Sequence, residues 1–148
     1  MAFKLTQQEA DILISMLKHS IEHEITFPCG KDRLEFDVRG ERKNDIFVVN
    51  ISRKGIDASK ATYQGRVRAS GAILMRLDVN PTSAHINPDG RKILGTHLHI
   101  YDEKHEMAFA IPFDIENKNL FQLCYTFFER FNIIEPPSMA QPLPLTEV

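Results

Sequence analysis

The sequence predicts an α+β fold: an antiparallel meander sheet of about six strands, with an N-terminal and a C-terminal helix packed on one face. Three observations support this. Segments of period-two alternation, such as Leu34-Glu35-Phe36-Asp37-Val38-Arg39, follow one another between polar turns, and an unbroken strand-turn-strand order favours antiparallel pairing. The segments near the two ends instead place apolar residues at helical spacing. The chain has 148 residues, 43% hydrophobic and 26% charged, which suits one domain with a substantial core. Residues 1–135 are assigned to that domain and 136–148 to a proline-rich tail.

Thr6-Gln7-Gln8-Glu9 is a capping box, in which a hydroxyl and a carboxylate satisfy each other's free backbone donors at a helix start. Ala10, Leu13, Ile14, Leu17 and Ile21 continue with helical spacing, so the first helix is expected to reach His19–His23 before Phe27-Pro28-Cys29-Gly30 stops it. His19 and His23, with Glu22 between them, read as solvated helix surface. Strands are expected over 34–39, 46–51, 62–68, 73–79, 96–101 and 107–113, with polar turns at 40–44 and 69–71 and a long connection over 80–95. The run 46–51 is almost continuously apolar and reads as a central strand. Leu120, Leu123, Cys124, Phe127, Phe128 and Phe131 form a wide stripe on a second helix over 117–131. Glu135-Pro136-Pro137-Ser138 is expected to end regular structure.

Several function classes are set aside on composition. No run approaches the roughly 20 apolar residues of a membrane span, and the amphipathic N-terminus has no small-residue cleavage site. Cys29 and Cys124 are the two cysteines, without a zinc-type spacing, so a reduced cytoplasmic protein is expected. Asn50-Ile51-Ser52 falls mid-strand and is discounted as a glycosylation site. The net charge of −2 hides an asymmetry. Residues 39–76 carry nine basic side chains against three acidic ones, a net of +6, which leaves −8 on the remainder. Such a region can be an electrostatic footprint for phosphates, or it can guard strand edges against aggregation. Arg39, Arg53, Arg66, Arg68 and Tyr63 are the expected substrate contacts.

Four of the six histidines lie between positions 85 and 105. If 76–80 pairs with 94–101 and the pleats are in phase, Leu77, Val79, Leu98 and Ile100 share one face. Arg76, Asp78, His97, His99 and Tyr101 then share the other, and His85 joins them if its loop folds back. One reading is acid–base cleavage of RNA without a metal. Imidazoles exchange protons near neutral pH, Arg76 clamps the phosphate, Asp78 orients an imidazole, and Tyr101 stacks on a base or donates a proton. A second reading is a divalent metal on His97, His99 and Asp78, or with His85. His97-Leu98-His99 with Glu103 matches the first half of a cupin motif, but Arg91 stands where its glycine belongs and the second histidine motif is missing. The plainest reading leaves the histidines on a solvent-facing strand and Arg76–Asp78 as an exposed ion pair of small value.

The chain resembles an uncharacterised family of small proteins from low-GC Gram-positive bacteria and their mobile elements. The resemblance rests on TQQEAD at 6–11, YQGR at 63–66, MRLDVNP at 75–81, HINPDG at 85–90, GTHLHIY at 95–101, AIPFDI at 110–115 and FNIIEPP at 131–137. More loosely, Arg76-x-Asp78, His85 and His97-x-His99 are similar to small toxins of the TumE type from toxin–antitoxin pairs. That likeness covers only the hairpin and departs in the long first helix and the proline-rich tail. It implies a growth-inhibiting protein that acts on RNA and is held by a protein antitoxin. The expectation is a toxin-like ribonuclease of a toxin–antitoxin or phage–host conflict system. The alternative is a non-catalytic protein that binds a host protein or other partner through its basic sheet face.

Overall fold

The capping box forms as its residues predict. The Glu9 amide donates to the Thr6 hydroxyl at 3.1 Å, and the Thr6 amide donates to the Glu9 carboxylate at 3.0 Å. It opens helix α1 (Gln7–Ser15) in a computed structural model that describes residues 4–141. The helix is shorter than its apolar spacing predicts. It gives way at Met16 to the short strands β1 (Lys18–Ser20) and β2 (Glu24–Thr26), and Leu17 and Ile21 stay exposed. The cause is Lys18, which is fully buried. Its Nζ donates to the carbonyls of Ile14 at 3.0 Å, Met16 at 2.9 Å and Phe131 at 3.0 Å. Helix ends leave such carbonyls without partners, and a single ammonium satisfies three of them. It also lies 4.8 and 4.2 Å from the ring centroids of Phe47 and Phe131, where the aromatic faces attract the charge.

The chain then forms β3 (Lys31–Arg39), β4 (Ile46–Lys54), β5 (Ala61–Val67) and β6 (Ile73–Val79), each antiparallel to the one before. The connection over 80–95 contains its own hairpin, β7 (Ala84–Ile86) and β8 (Lys92–Leu94), tipped by the Asn87–Gly90 turn. β9 (His97–Ile100) returns to pair with β6, and β10 (Ala110–Pro112) pairs with β9. After α2 (Leu120–Arg130) come β11 (Ile133–Glu135) and β12 (Ser138–Ala140). The antiparallel run β3-β4-β5-β6-β9-β10 fills six places, but the sheet is larger and mixed. β1 joins β3, and β11 adds in parallel to β1, giving eight strands in the order β10-β9-β6-β5-β4-β3-β1-β11. Regular structure also continues past the double proline, because β12 pairs in parallel with β2. The start of the expected tail is therefore docked, and its last part, 142–148, lies outside the described residues.

Both helices contribute to a single core on one face of the sheet. The aromatic stripe of α2 and its C-cap packs on the sheet: Phe128 meets Phe36 edge-on at 5.7 Å, Phe131 meets Phe47 at 5.9 Å, and Phe127 stacks on Tyr63 at 6.1 Å. Aromatic pairs in these geometries add to the burial energy of their area. The sheet approaches so closely that a Cβ at Gly65 would stand 2.5 Å from the Phe131 ring. The opposite face carries polar side chains. Among the described residues, no helix is long and apolar enough to cross a membrane.

Burial pushes the Lys18 amine down to about 7 against the pull of Glu41. Between about 7 and its ordinary value of 10.5, the unfolded chain holds the Lys18 proton and the folded chain does not. Stability therefore rises with pH through that window, on the order of a few kcal/mol. Denaturant midpoints at the two ends of the window should diverge between the native chain and Lys18→Met. Parallel curves would show that Lys18 does not titrate there.

Candidate functional site

The pairing of β6 with β9 sets Arg76 opposite His99 and Asp78 opposite His97. Alternation then places all four on the face away from the helices, while Leu77 and Leu98 go to the core. Arg76 grips Asp78 two-pronged, Nε donating to Oδ1 at 3.0 Å and Nη2 to Oδ2 at 3.1 Å. The same Oδ2 lies 3.2 Å from His97 Nε2 and 3.3 Å from His99 Nε2, and Arg76 Nη2 is also 3.2 Å from His99 Nε2. Burial by itself pushes the Asp78 carboxyl up. The hydrogen bond from His99 and the contact with Arg76 outweigh it and hold the group below the ordinary carboxylate range. His97 and His99 are only 5% and 1% exposed, so they are not the solvent-facing strand histidines that the plainest sequence reading allowed.

The β7–β8 hairpin folds back and adds His85. Its ring stacks on His97 at 5.3 Å and meets His99 edge-on at 4.9 Å. Asn87, almost fully buried, docks the hairpin: its Nδ2 donates to the Ala110 carbonyl at 2.8 Å, and the Ala110 amide donates to its Oδ1 at 2.8 Å. One nitrogen of each of the three rings is bound to a main-chain carbonyl. His97 Nδ1 reaches Gly95 O at 2.9 Å, His99 Nδ1 reaches Met107 O at 2.7 Å, and His85 Nε2 reaches Ala108 O at 2.9 Å. Gly95 has φ +82, a left-handed conformation that glycine adopts at no steric cost. The three rings offer ligand nitrogens within 4.8 Å of one another, so His85, His97 and His99 are the residues that could hold a metal ion, with Asp78 beside them.

A groove of about 610 Å³ runs from this cluster across the polar face of the sheet. Its walls include Arg33, Lys54 and Lys60, and its floor includes Asn50, Ser52, Thr62 and Gln64. It ends at Arg76, Asp78 and His97. The basic segment contributes less than its charge suggests. Arg66 is held by Asn50 and Glu35, and Arg68 pairs with Asp37 at 3.0 Å. Arg53 sends Nη1 to the Pro28 carbonyl at 3.1 Å and lies over Phe27. Arg39 is exposed and does not line the groove.

Two expected site residues belong to the core instead. Tyr63 is fully buried with its hydroxyl donating to Leu120 O at 2.6 Å, and burial raises its pKa. Tyr101 lies just past the end of β9 and donates to Leu5 O at 2.7 Å rather than facing the histidines. The groove cations Arg33, Lys54 and Lys60 were not among the expected contacts. The signal for Lys54 was in the sequence, because Asn50, Ser52 and Lys54 alternate along β4 with buried Val49 and Ile51.

The arrangement can bind a polyanion along the groove and bring it to a set of proton-exchanging or metal-ligating groups at one end. The family described as a family of unknown function (DUF6978) matches residues 5–133. No curated protein and no solved structure matches the chain.

Removing the Asn87 clamp leaves the Ala110 amide and carbonyl without their partners, at a cost of roughly 1–3 kcal/mol. Asn87→Ala should lower stability by that amount and speed amide exchange in residues 84–94 far more than in β4. Unchanged exchange in the hairpin would show that Asn87 does not position His85.

Proposed function

We propose that this chain, which belongs to the DUF6978 family, is a toxin-like protein that binds RNA along the basic groove and cleaves it at the histidine end. The observation that supports this best is the continuity of the groove: Arg33, Lys54 and Lys60 lead to Arg76, Asp78 and His97 in one cavity. Cations along a groove neutralise successive phosphates, which gives affinity without reading sequence. The groove lining contains no Phe, Tyr or Trp, so the contacts favour the backbone over stacked bases.

In the reaction, the ribose 2′-oxygen attacks the adjacent phosphorus while its proton passes to a base at the cluster. The P–O5′ bond breaks and the departing oxygen takes up a proton, leaving a 2′,3′-cyclic phosphate and a 5′-hydroxyl. The Arg76 guanidinium is placed to offset charge on the non-bridging oxygens. The toxin-like part of the reading rests on the similarity of Arg76-x-Asp78, His85 and His97-x-His99 to TumE-type toxins. A bacterial mobile-element setting and a cytoplasmic RNA target accompany it.

One observation favours a second reading, in which the chain is a non-catalytic protein that binds a partner. The outer face of the β7–β8 hairpin, beside the site, exposes Ile86 at 67% and Leu94 at 72%. Apolar side chains in that position suit a protein partner such as an antitoxin or a host protein.

Labelled RNA incubated with the purified chain should yield cyclic-phosphate ends. Asp78→Asn should slow cleavage by about a hundredfold or more. Lys54→Gln with Lys60→Gln should weaken RNA binding uniformly across sequences and reduce the slope of log K against log salt by about 2. A folded protein that neither binds nor cuts RNA at low salt would overturn the proposal and leave partner binding as the better reading.

A further inference from the structure

The geometry points to a site for one divalent first-row transition ion, held by His85 Nδ1, His97 Nε2, His99 Nε2 and Asp78 Oδ2. The inference concerns the site described above but does not depend on RNA being the substrate. It rests on which nitrogen of each ring is already used.

A carbonyl oxygen can only accept a hydrogen bond. The nitrogens bound to Gly95 O, Met107 O and Ala108 O therefore carry the ring protons. That leaves His97 Nε2, His99 Nε2 and His85 Nδ1 as the nitrogens open to a cation, and the proton that His99 Nε2 shares with Asp78 leaves as the ion binds. Each ring offers one ligand nitrogen within 4.8 Å of the others, and His97 Nε2 and His99 Nε2 face Asp78 Oδ2 at 3.2 and 3.3 Å. Arg76 Nη2 covers part of that negative concentration, at 3.2 Å from His99 Nε2 and 3.1 Å from Asp78 Oδ2. It does so for His99 but not for His97 or His85. A single cation at the centre satisfies all of the lone pairs at once.

The surroundings are those of ligating histidines. Rings that bind metals usually commit the second nitrogen to a carbonyl or carboxylate, which fixes both tautomer and orientation. Here two consecutive carbonyls of the β9–β10 loop, Met107 and Ala108, hold two of the rings, and the glycine before β9 holds the third. Tetrahedral ligands about 2.1 Å from an ion stand about 3.4 Å apart, so the widest pair of ring nitrogens, within 4.8 Å, needs to close by up to about 1.4 Å. Three imidazoles and a carboxylate shared with Arg76 suit zinc, cobalt or nickel over magnesium or calcium, which prefer oxygen. His97 and Asp78 also line the groove, so the ion would be within reach of a bound polyanion.

The test uses the full chain, stripped with a chelator and then dialysed against Zn²⁺. One ion per chain is expected, and Co²⁺ in its place should give visible absorption bands from a low-symmetry nitrogen site. His97→Gln should weaken zinc binding by about a hundredfold and His85→Gln by at least about tenfold. His85 sits on the separate hairpin, so its variant keeps the test valid if His97→Gln fails to fold. His19→Gln, on β1, should bind as the native chain does. Less than one zinc per folded chain, or equal uptake by the native chain and His85→Gln, would overturn the inference. Cleavage of RNA by a folded chain that takes up no zinc would overturn the metal site alone. A chain that binds one zinc yet cuts no RNA, whether loaded or stripped, would overturn the RNA reading alone.

Discussion

A buried lysine amine whose hydrogen-bond partners are all main-chain carbonyls sets the shape of one end of this protein. Lys18 Nζ takes carbonyls from the last turn of α1, from the residue after it, and from Phe131 at the end of α2. A charge removed from water must recover its solvation from fixed dipoles, and both helix ends supply oxygens that lack a partner within their own helix. One side chain thereby ends α1, fixes where α2 stops relative to it, and starts β1. The Asn132 side chain adds a bond to Ile14 O at 2.8 Å, and the Lys18 amide donates to Asn132 O. With β1 in place, β11 can pair beside it, and the sheet reaches eight strands.

The same demand for buried polar partners organises the opposite end. His97 and His99 are carried into the protein by β9, and their rings are satisfied by carbonyls from the preceding glycine and from the β9–β10 loop. That loop is pinned by the Asp102–Glu106 bridge and by the Asp102 carboxylate accepting from the His105 amide at 2.6 Å. Asn87 completes the arrangement by tying the hairpin to β10, much as an added strand would. Backbone carbonyls therefore hold one nitrogen of each ring, while the Arg76–Asp78 pair meets His97 and His99 at the other. Such support keeps the lone pairs of three rings convergent without an ion being needed to assemble them.

Charge on the open face is distributed in the same spirit. Residues of β3 cancel much of the basic excess, with Glu35 and Asp37 meeting Arg66 and Arg68 across the sheet. What remains unbalanced collects along the groove as Arg33, Lys54 and Lys60, although Arg33 also touches Glu35 and Lys60 lies 3.7 Å from Asp57. Exposed pairs of this kind are weak and can open to a phosphate backbone. The functional potential of the face lies in where the sheet register leaves cations together, not in the total of basic residues.

Much of the fold was legible from local pattern. Period-two alternation and one continuous apolar run located the six strands of the antiparallel run, and helical spacing located α2. In-phase pairing of β6 and β9 placed Arg76, Asp78, His97 and His99 on one face, because the pleat leaves only two choices for each side chain. Periodicity failed where a distant partner decided the outcome. Leu17 and Ile21 fit a longer helix, but a partner 113 residues away at Phe131 drew Lys18 inward and ended it. Tyr63 and Tyr101 are chemically suited to a site, yet each found a carbonyl across the core. His85 could be assigned only on the condition that its turn-rich connection folds back. Only the docking of Asn87 onto β10 brings it to the other rings, since contacts between segments 23 residues apart depend on tertiary packing rather than on local spacing.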